Sequence, residues 1–599
     1  MGPTAAEGSA GGKAPPRPWR PYRRAAPPLS SPPHRTGSPP LSFRLLVACL
    51  LAAAPAALHA QDSLPPAPRD SATPPVGGAP LGRDSAFGPV GVVVDTGPRI
   101  IRKIRIIRDD VFDGADAHKW YGKIGNGLHI MTHEGIIAQE VLFKVGEPYD
   151  SVKAAEMARN LRARGLFRKV EVDTVPTDSG VVLRVITKDG WSTQADVRFR
   201  SAGSQTDWQV ALIERNLLGT GTRFATKYRH TPDRNSLNFQ FLQPRLLAQT
   251  VSLGVRYETR SDGDRGQVAV ERPFFSLSDR NGITTLFDAR NERVLQFRDG
   301  VGDPSDSLRR RFALGRVEAA HALYASPKGY LRVGVTAQLR RDDYNAWPSN
   351  TVTRDITGTV GPFVEWRRAN FAVTSGFARV GQDEDVDLST FARIQLFAAP
   401  EAFGYRRDGL GGLAQVRLGT QLARGGFMWL DGRVNGVVTS AGLDSGSVVL
   451  GSTVVLKPAR GQLAIGHADI GWIKNPLPGT EFDLGFAVGP RGFPIHAFTG
   501  DRTYFSTAEY RVILANEVLK TLAIGVAGFV DHGGAWYAGD KRRTGTNLGF
   551  GIRLGPSRVA DANQTRLDLA YRFKNDQEKA GWVFVVASGL TFNTTPRGL

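Results

Sequence analysis

The sequence predicts a transmembrane antiparallel β-barrel preceded by one small α/β domain, and three observations carry that reading. From Trp191 to Phe592 apolar and polar residues alternate with period two, in short segments divided by turn residues. No run of about 20 apolar residues occurs, so helical spans are excluded, while 68 glycines and a hydrophobic content of 41% suit a barrel whose walls are apolar on one side only. Residues 45–58 follow Arg44 as a short apolar core and lead into Leu58-His59-Ala60, the pattern of an export signal.

Residues 1–60 are therefore read as a basic leader and signal peptide cleaved near Ala60; Leu58 is larger than the residue preferred there, which leaves the cut position open. Residues 1–40 are rich in Pro, Arg, Gly and Ser and lack apolar periodicity, so initiation near Leu41 is expected. The single cysteine, Cys49, follows Leu46-Val47-Ala48 as a lipoprotein cysteine would, but too few apolar residues precede it. Lost with the signal, it leaves the mature chain without disulfides or cysteine-based zinc or redox chemistry. Residues 61–98 are a Pro-rich linker. Part of the net charge of +19 lies in the leader and the rest is dispersed, as expected of a charged lumen and loops facing anionic lipid, and not of a nucleic-acid partner.

Order is expected from Ile100, where Ile104 and Ile106 alternate with charged residues as in a strand. Thr132 is placed to cap a helix through Ile136, Ile137, Glu140 and Val141 that stops at Gly146-Glu147-Pro148. Asp150 caps a second helix closed by Gly165. Val170, Val172 and Val175 then face Val181, Leu183 and Val185 across the turn at residues 177–180. With the segments Leu142-Phe143-Lys144-Val145-Gly146-Glu147-Pro148-Tyr149-Asp150, Arg159-Asn160-Leu161-Arg162 and Leu166-Phe167-Arg168-Lys169-Val170, this order of strand, helix, helix, strand, strand resembles a POTRA domain over residues 99–189. Residues 113–128 are an insertion in that pattern.

Residues 190–592 form the predicted barrel, and residues 593–599 a tail beyond the last aromatic. Leu253, Val255 and Tyr257 oppose Ser252, Gly254 and Arg256; Leu548, Phe550, Ile552 and Leu554 oppose Asn547, Gly549, Gly551 and Arg553; Leu567, Leu569, Tyr571 and Phe573 oppose Arg566, Asp568, Ala570 and Arg572. A soluble sandwich or propeller alternates too, but the export signal, the aromatics at strand ends such as Trp582 and Phe592, and the length of the repeating region favour the membrane. Closure follows because an open strand edge in lipid leaves each polar group several kcal/mol short. The count of candidate strands is about 20, with strands and loop hairpins not distinguished between residues 310 and 400.

Near the C-terminus, Gly489-Pro490-Arg491-Gly492-Phe493 precedes a strand carrying Glu509-Tyr510-Arg511, and a further strand carries Phe529-Val530-Asp531-His532-Gly533. With Asn216-Leu217-Leu218-Gly219-Thr220-Gly221 and Gln243-Pro244, these segments resemble the BamA-type outer-membrane assembly and secretion superfamily (bacterial surface antigen family), whose signatures are an Arg-Gly-Phe loop tip and a Phe-x-Asp-x-Gly strand. Pro490 stands where the family has a β-branched residue. Strand phase turns Asp531, Glu509 and Arg511 toward the lumen, with Ala523, Gly525 and Ala527 leaving room for a loop. By phase alone, ordinary lumen charges of a plug or porin constriction fit equally; the motif pair favours a loop-barrel lock of Arg491, Gly492 and Phe493 with Asp531, Glu509, Phe529 and Gly533.

The resemblance implies a barrel of about sixteen strands with one POTRA domain. It also implies a protein that inserts, assembles or translocates polypeptides at the outer membrane. A weak lateral seam would join the first strand, near Trp191, to the last, from Trp582 to Phe592, and add a client strand there; the POTRA domain would bind clients by β-augmentation in the periplasm. The expected partners are outer-membrane lipids and unfolded outer-membrane or secreted polypeptides, with periplasmic accessory proteins as a further class. A passive porin-like channel and a port dedicated to one exported partner remain alternatives. No catalytic motif is present, His129, His133 and Glu134 read as polar residues of a helix start and not as a metal site, and neither enzyme activity nor a cofactor is expected.

Overall fold

Strands with one greasy and one wet face have only a few ways to satisfy both, and rolling into a cylinder satisfies them with no edge left over. The computed structural model describes residues 99–592 apart from 203–204, 247–249, 299–305, 347–351, 486–487 and 560–561. Leader, linker and tail lie outside the described residues. Twenty strands, from Thr193–Ala202 to Gly581–Ser588, close into an antiparallel barrel. The strand count read from the alternation is thus the observed one. The smaller number implied by resemblance is corrected, because all twenty strands hydrogen-bond to two neighbours in one closed ring.

That correction is visible between residues 306 and 399. Asp306–Ser326, Gly329–Ala346, Val352–Arg368 and Thr390–Ala399 are wall strands, whereas Phe371–Ser375 and Asp383–Asp387 pair only with each other. Residues 369–389 form a hairpin that leaves the wall and folds into the bore.

Phase around the wall follows the alternation. Tyr257, Leu548, Phe550, Ile552, Val526, Val530 and Tyr510 are exposed on the outside, while Asn547, Arg553, Arg566, Asp568, Ala523 and Asp531 are buried inside. A belt of exposed aliphatic and aromatic side chains around a closed barrel is a surface made for hydrocarbon.

Ahead of the barrel, β1 (Ile101–Asp109) pairs in parallel with β3 (Gly180–Asp189), which pairs antiparallel with β2 (Phe167–Thr177). Four helices lie between β1 and β2: α1 (Gly114–Ala117), α2 (Trp120–Leu128), α3 (Glu134–Ala138) and α4 (Ser151–Ala163). The insertion at residues 113–128 is thus helical. Asp150 caps α4 as its sequence predicts, accepting from the backbone N–H of Val152 and Lys153. Thr132 does not cap α3: its backbone N–H and hydroxyl both donate to the buried Asp189 carboxylate, at 2.7 and 2.9 Å, so it ties the helix approach to the end of β3. Met157, Leu161, Leu166, Leu183 and Val185 form the core of this domain.

The domain and the barrel belong to one compact unit and meet at one mouth of the cylinder. The His133 N–H donates to the Gly219 carbonyl at 3.0 Å, Arg245 pairs with Glu140 at 3.2 Å, and Arg162 grips Asp385 of the inner hairpin with two bonds of 2.7 Å. The bore itself is filled. Phe377 of the hairpin, Phe427 and Phe505 of the wall, and Phe482, Phe493 and Phe498 of an inward loop form one aromatic core. Gly381, at φ +82°, lets the hairpin tip press on Ala523, where a Cβ would come within 2.5 Å.

If the outside is bathed in lipid, a charge there costs what charge costs in hydrocarbon. Phe550→Arg is expected to destabilise the barrel by about 2–4 kcal/mol, and Phe550→Leu by far less, in reversible unfolding from lipid vesicles. Equal stability of the two variants would show that this face is wet.

Candidate functional site: a loop locked to the inner wall

The loop between the strands Gln462–Lys474 and Arg502–Val518 turns inward, braced by a two-stranded pairing of Phe482–Leu484 with Phe498–Gly500. Its tip carries Pro490, Arg491, Gly492 and Phe493, and the Phe493 N–H donates back to the Pro490 carbonyl at 3.2 Å, closing a tight turn. Pro490 stands at the first position of this turn, where its carbonyl takes the closing bond and Arg491 and Gly492 form the two central positions.

The turn aims Arg491 at the wall. Its Nε and Nη2 donate to the two oxygens of Asp531 at 2.8 and 3.0 Å, and Nη1 reaches Glu509 at 3.4 Å and Asp568 at 3.2 Å. The backbone N–H of Arg491 also donates to Asp531, at 3.3 Å. The guanidinium carbon lies over the Phe529 ring, 3.6 Å from its centroid. Gly492 donates to Asn547 at 3.1 Å, and Asn547 in turn donates to Asp531 at 2.9 Å. Phe493 is fully buried beside Phe498, over Gly545, where any Cβ would sit 2.3 Å from its ring. Gly533, two residues past Asp531, has no room for a side chain because the Tyr504 carbonyl would lie 2.6 Å from its Cβ.

Alternation alone did not reveal the full set. Arg553 donates to Glu509 at 2.8 Å and to Asp568 at 2.5 Å; Arg511 donates to Glu509 at 2.6 Å; Arg566 donates to Asp568 at 3.0 Å; Thr507 donates to Asp531 at 2.7 Å. Four arginines and three carboxylates therefore share one dry site, and Arg511 spends further donors on the Gly376 and Phe377 carbonyls of the inner hairpin. Arg553, Arg566 and Asp568 were legible as members of wet strand faces. That they meet at one height required the register between strands, Gly551 opposite Asp568 and Glu509 opposite Phe529.

Charges this buried survive only because every one is hydrogen-bonded and opposed, since desolvation offsets much of the attraction. The arrangement can hold a loop against four wall strands. Among the described residues no group of His, Cys, Asp and Glu is arranged to hold a metal ion.

The residues named for the seam fall in three different places. Among the described residues, Thr193–Ala202 and Gly581–Ser588 meet through two residue pairs, Val585 with Arg200 and Val586 with Phe199, whereas the flanking pairings span eight and ten. Trp582 stands outside on the last strand, edge-on to Tyr571. Trp191 precedes the first strand and donates its N–H to the Arg558 carbonyl at 2.8 Å. Phe592 corrects the expected strand end: the last strand stops at Ser588, the chain turns at Gly589, and Phe592 enters the bore to stack on His467 at 4.1 Å. A buried apolar partner is available inside, which an exposed strand end would lack. Ile495 of the loop packs against Val583, Val585 and Ala587 on the inner face of the same last strand.

At the opposite mouth from the small domain, His496 steadies the loop's return. Its ring stacks on Phe297 at 3.5 Å, with Nδ1 2.7 Å from Asp483 and Nε2 3.0 Å from Asp233. Burial by itself would lower its pKa, but the charge of Asp483 and the hydrogen bonds to both carboxylates outweigh this and push it up to about 9.

Two outcomes are expected. Arg491→Ala strands Asp531 without a cationic partner and is expected to cost about 3–5 kcal/mol of barrel stability, with Arg491→Lys costing less because it keeps the charge and loses the two-pronged geometry. The thermal shift of gel migration from folded to unfolded barrel measures both. Because the folded-state pKa of His496 is raised, its contribution is complete below its ordinary value of 6.5 and is lost as pH rises through about 9. Hydrogen exchange of residues 488–500 is expected to quicken across that window in the native chain and not in His496→Gln; identical profiles would refute the pairing.

No protein-family model matches the chain, and no curated protein matches it. Among solved structures it is similar to BamA from Haemophilus ducreyi lacking POTRA domains 1–3, at 11% identity over 83% of this chain and 85% of that one, with a TM-score of 0.37. It is similar to CdiB from Escherichia coli at 10% identity, over 82% and 76%, with a TM-score of 0.42. The siderophore receptor PirA from Pseudomonas aeruginosa matches at 8% identity, over 82% and 91%, with a TM-score of 0.35.

Proposed function

We propose that this chain is an outer-membrane barrel that inserts or translocates polypeptides, with residues 99–189 acting as a POTRA domain at the periplasmic mouth. The observation that carries the reading is the seam. Two residue pairs close a wall whose neighbouring pairings are several times longer, so among the described residues the first and last strands leave ladder groups unmatched at one place only. Unmatched N–H and C=O groups in hydrocarbon are costly, and an incoming extended segment relieves that cost by adding as a strand.

The arrangement around the seam supports the same reading. The Arg491 loop packs Ile495 on the last strand, so the lock braces one side of the gap while leaving its backbone edge open. Contiguous contacts run from α4 through Arg162 and Asp385 to the inner hairpin, from its Phe377 carbonyl to Arg511, and on to Glu509 and Arg491. Client binding to the small domain would act on the lock along these contacts. With no nucleotide in the periplasm, folding of the client supplies the drive. The filled bore argues against a steady passive channel in this conformation.

Phe199 and Val586 stand opposite each other across the seam, close enough in an antiparallel pair for a disulfide. Phe199→Cys with Val586→Cys, in a Cys49→Ser background, is expected to abolish client assembly or export when oxidised and to restore it when reduced. The outer-membrane and secreted proteomes read the result. Loss of many barrels marks general assembly, and loss of one exported protein marks a dedicated port. Unchanged proteomes with a fully formed crosslink would overturn the proposal in favour of a pore.

A further inference from the structure

Helix α2 is built inside out for a helix of a soluble domain. Its inward side is glycine: Gly122 lies on the backbone at Asp116 and Ala117, and Gly125 lies on the Phe112 ring, each so close that a Cβ would collide. Its outward side carries Trp120, Ile124 and Leu128 at helical spacing, with relative exposures of 75%, 56% and 72%. Two small residues hold the helix flat against the domain while the large apolar ones point away from it. Lys119 and Lys123 flank the apolar row.

Both ends of this segment are tied to the barrel rim. Asp116 lies 3.7 Å from Arg558, whose Nε donates to the Lys520 carbonyl at 2.9 Å in the turn that exposes Leu519. Beyond the other end, the Ile130 carbonyl accepts from Asn216 at 3.4 Å, beside the turn that exposes Leu217 and Leu218. Around the wall, the strands between those two turns include the first and the last. The helix therefore runs along the rim below the seam, and its apolar row continues the greasy exterior past the strand ends.

We infer that α2 is an interfacial helix that docks on the lipid leaflet at the mouth carrying the small domain, with Trp120, Ile124 and Leu128 in the acyl-headgroup boundary and the lysines at the phosphates. Continuity with the lipid-facing belt selects lipid as the occupant. It needs the barrel to sit in a membrane but not to move a polypeptide, so it stands or falls separately from the proposed function. A helix anchored there holds the domain at a set height under the seam and disturbs the lipid next to the weakest pairing of the wall.

Ile124→Cys in the full chain, in a Cys49→Ser background, labelled with a polarity-sensitive fluorophore and reconstituted in phosphatidylethanolamine/phosphatidylglycerol vesicles, tests this. The label is expected to shift to the blue and to lose about half or more of its emission when the vesicles carry phospholipid spin-labelled near the headgroup. Leu128→Cys is expected to behave alike, which guards against misfolding of one variant. Asp178→Cys, in the β2–β3 turn about 33 Å of strand away from the rim, is expected to be unaffected. A water-like spectrum without quenching at both 124 and 128 would overturn the inference. So would protection that appears only when chain density is raised or when an unfolded polypeptide is added, since the occupant would then be a second copy or a client.

Discussion

Every part of this structure answers to one constraint: in hydrocarbon each backbone N–H and C=O must find a partner within the protein. Around the wall the strands meet it by pairing with both neighbours, with local irregularities such as the one between Val360 and Phe363, whereas among the described residues Gly581–Ser588 and Thr193–Ala202 pair only at two positions. The weak junction is not left alone. Ile495 packs on its inner face, and Trp582 stands edge-on to Tyr571 outside.

The same constraint shapes the interior. A wide barrel with a wet inner face must be filled by water or by its own chain, and this one uses two inserted segments. The loop bearing Arg491 enters from one mouth and the hairpin of residues 369–389 from the other; they meet through Arg511, which serves Glu509 on one side and the Phe377 carbonyl on the other. Their facing surfaces are aromatic, so the inserted parts form a core of the ordinary kind inside a wall whose greasy side is turned outward. The charged site is dry because this core covers it, and dryness is what makes Arg491 a strong clamp while it is paired and a large liability if its partners are lost.

The small domain is fastened to the barrel by polar contacts spread around the rim, at Gly219, Arg245 and Asp385. Arg162 and Arg159 reach the hairpin and not the wall, Arg162 at Asp385 and Arg159 over the Phe371 ring at 3.7 Å.

Period-two alternation by itself determined which side of each strand is wet, because side-chain direction in a strand follows parity, and it gave a strand count of about 20; the choice of a membrane barrel over a sandwich also needed the export signal and the strand-end aromatics. It placed Arg491, Asp531 and Glu509 as inward or loop-borne charges. It also put Arg553, Arg566 and Asp568 on wet faces without saying that they meet. Only the tertiary structure decided which charges share a height, since that depends on strand register summed over several hairpins. Only the fold could show that residues 369–389 leave the wall, that Phe592 turns inward, and that Thr132 binds Asp189 in place of capping a helix. Each of those outcomes was settled by a partner far away in sequence: a buried ring, a carboxylate or an arginine that local pattern does not contain.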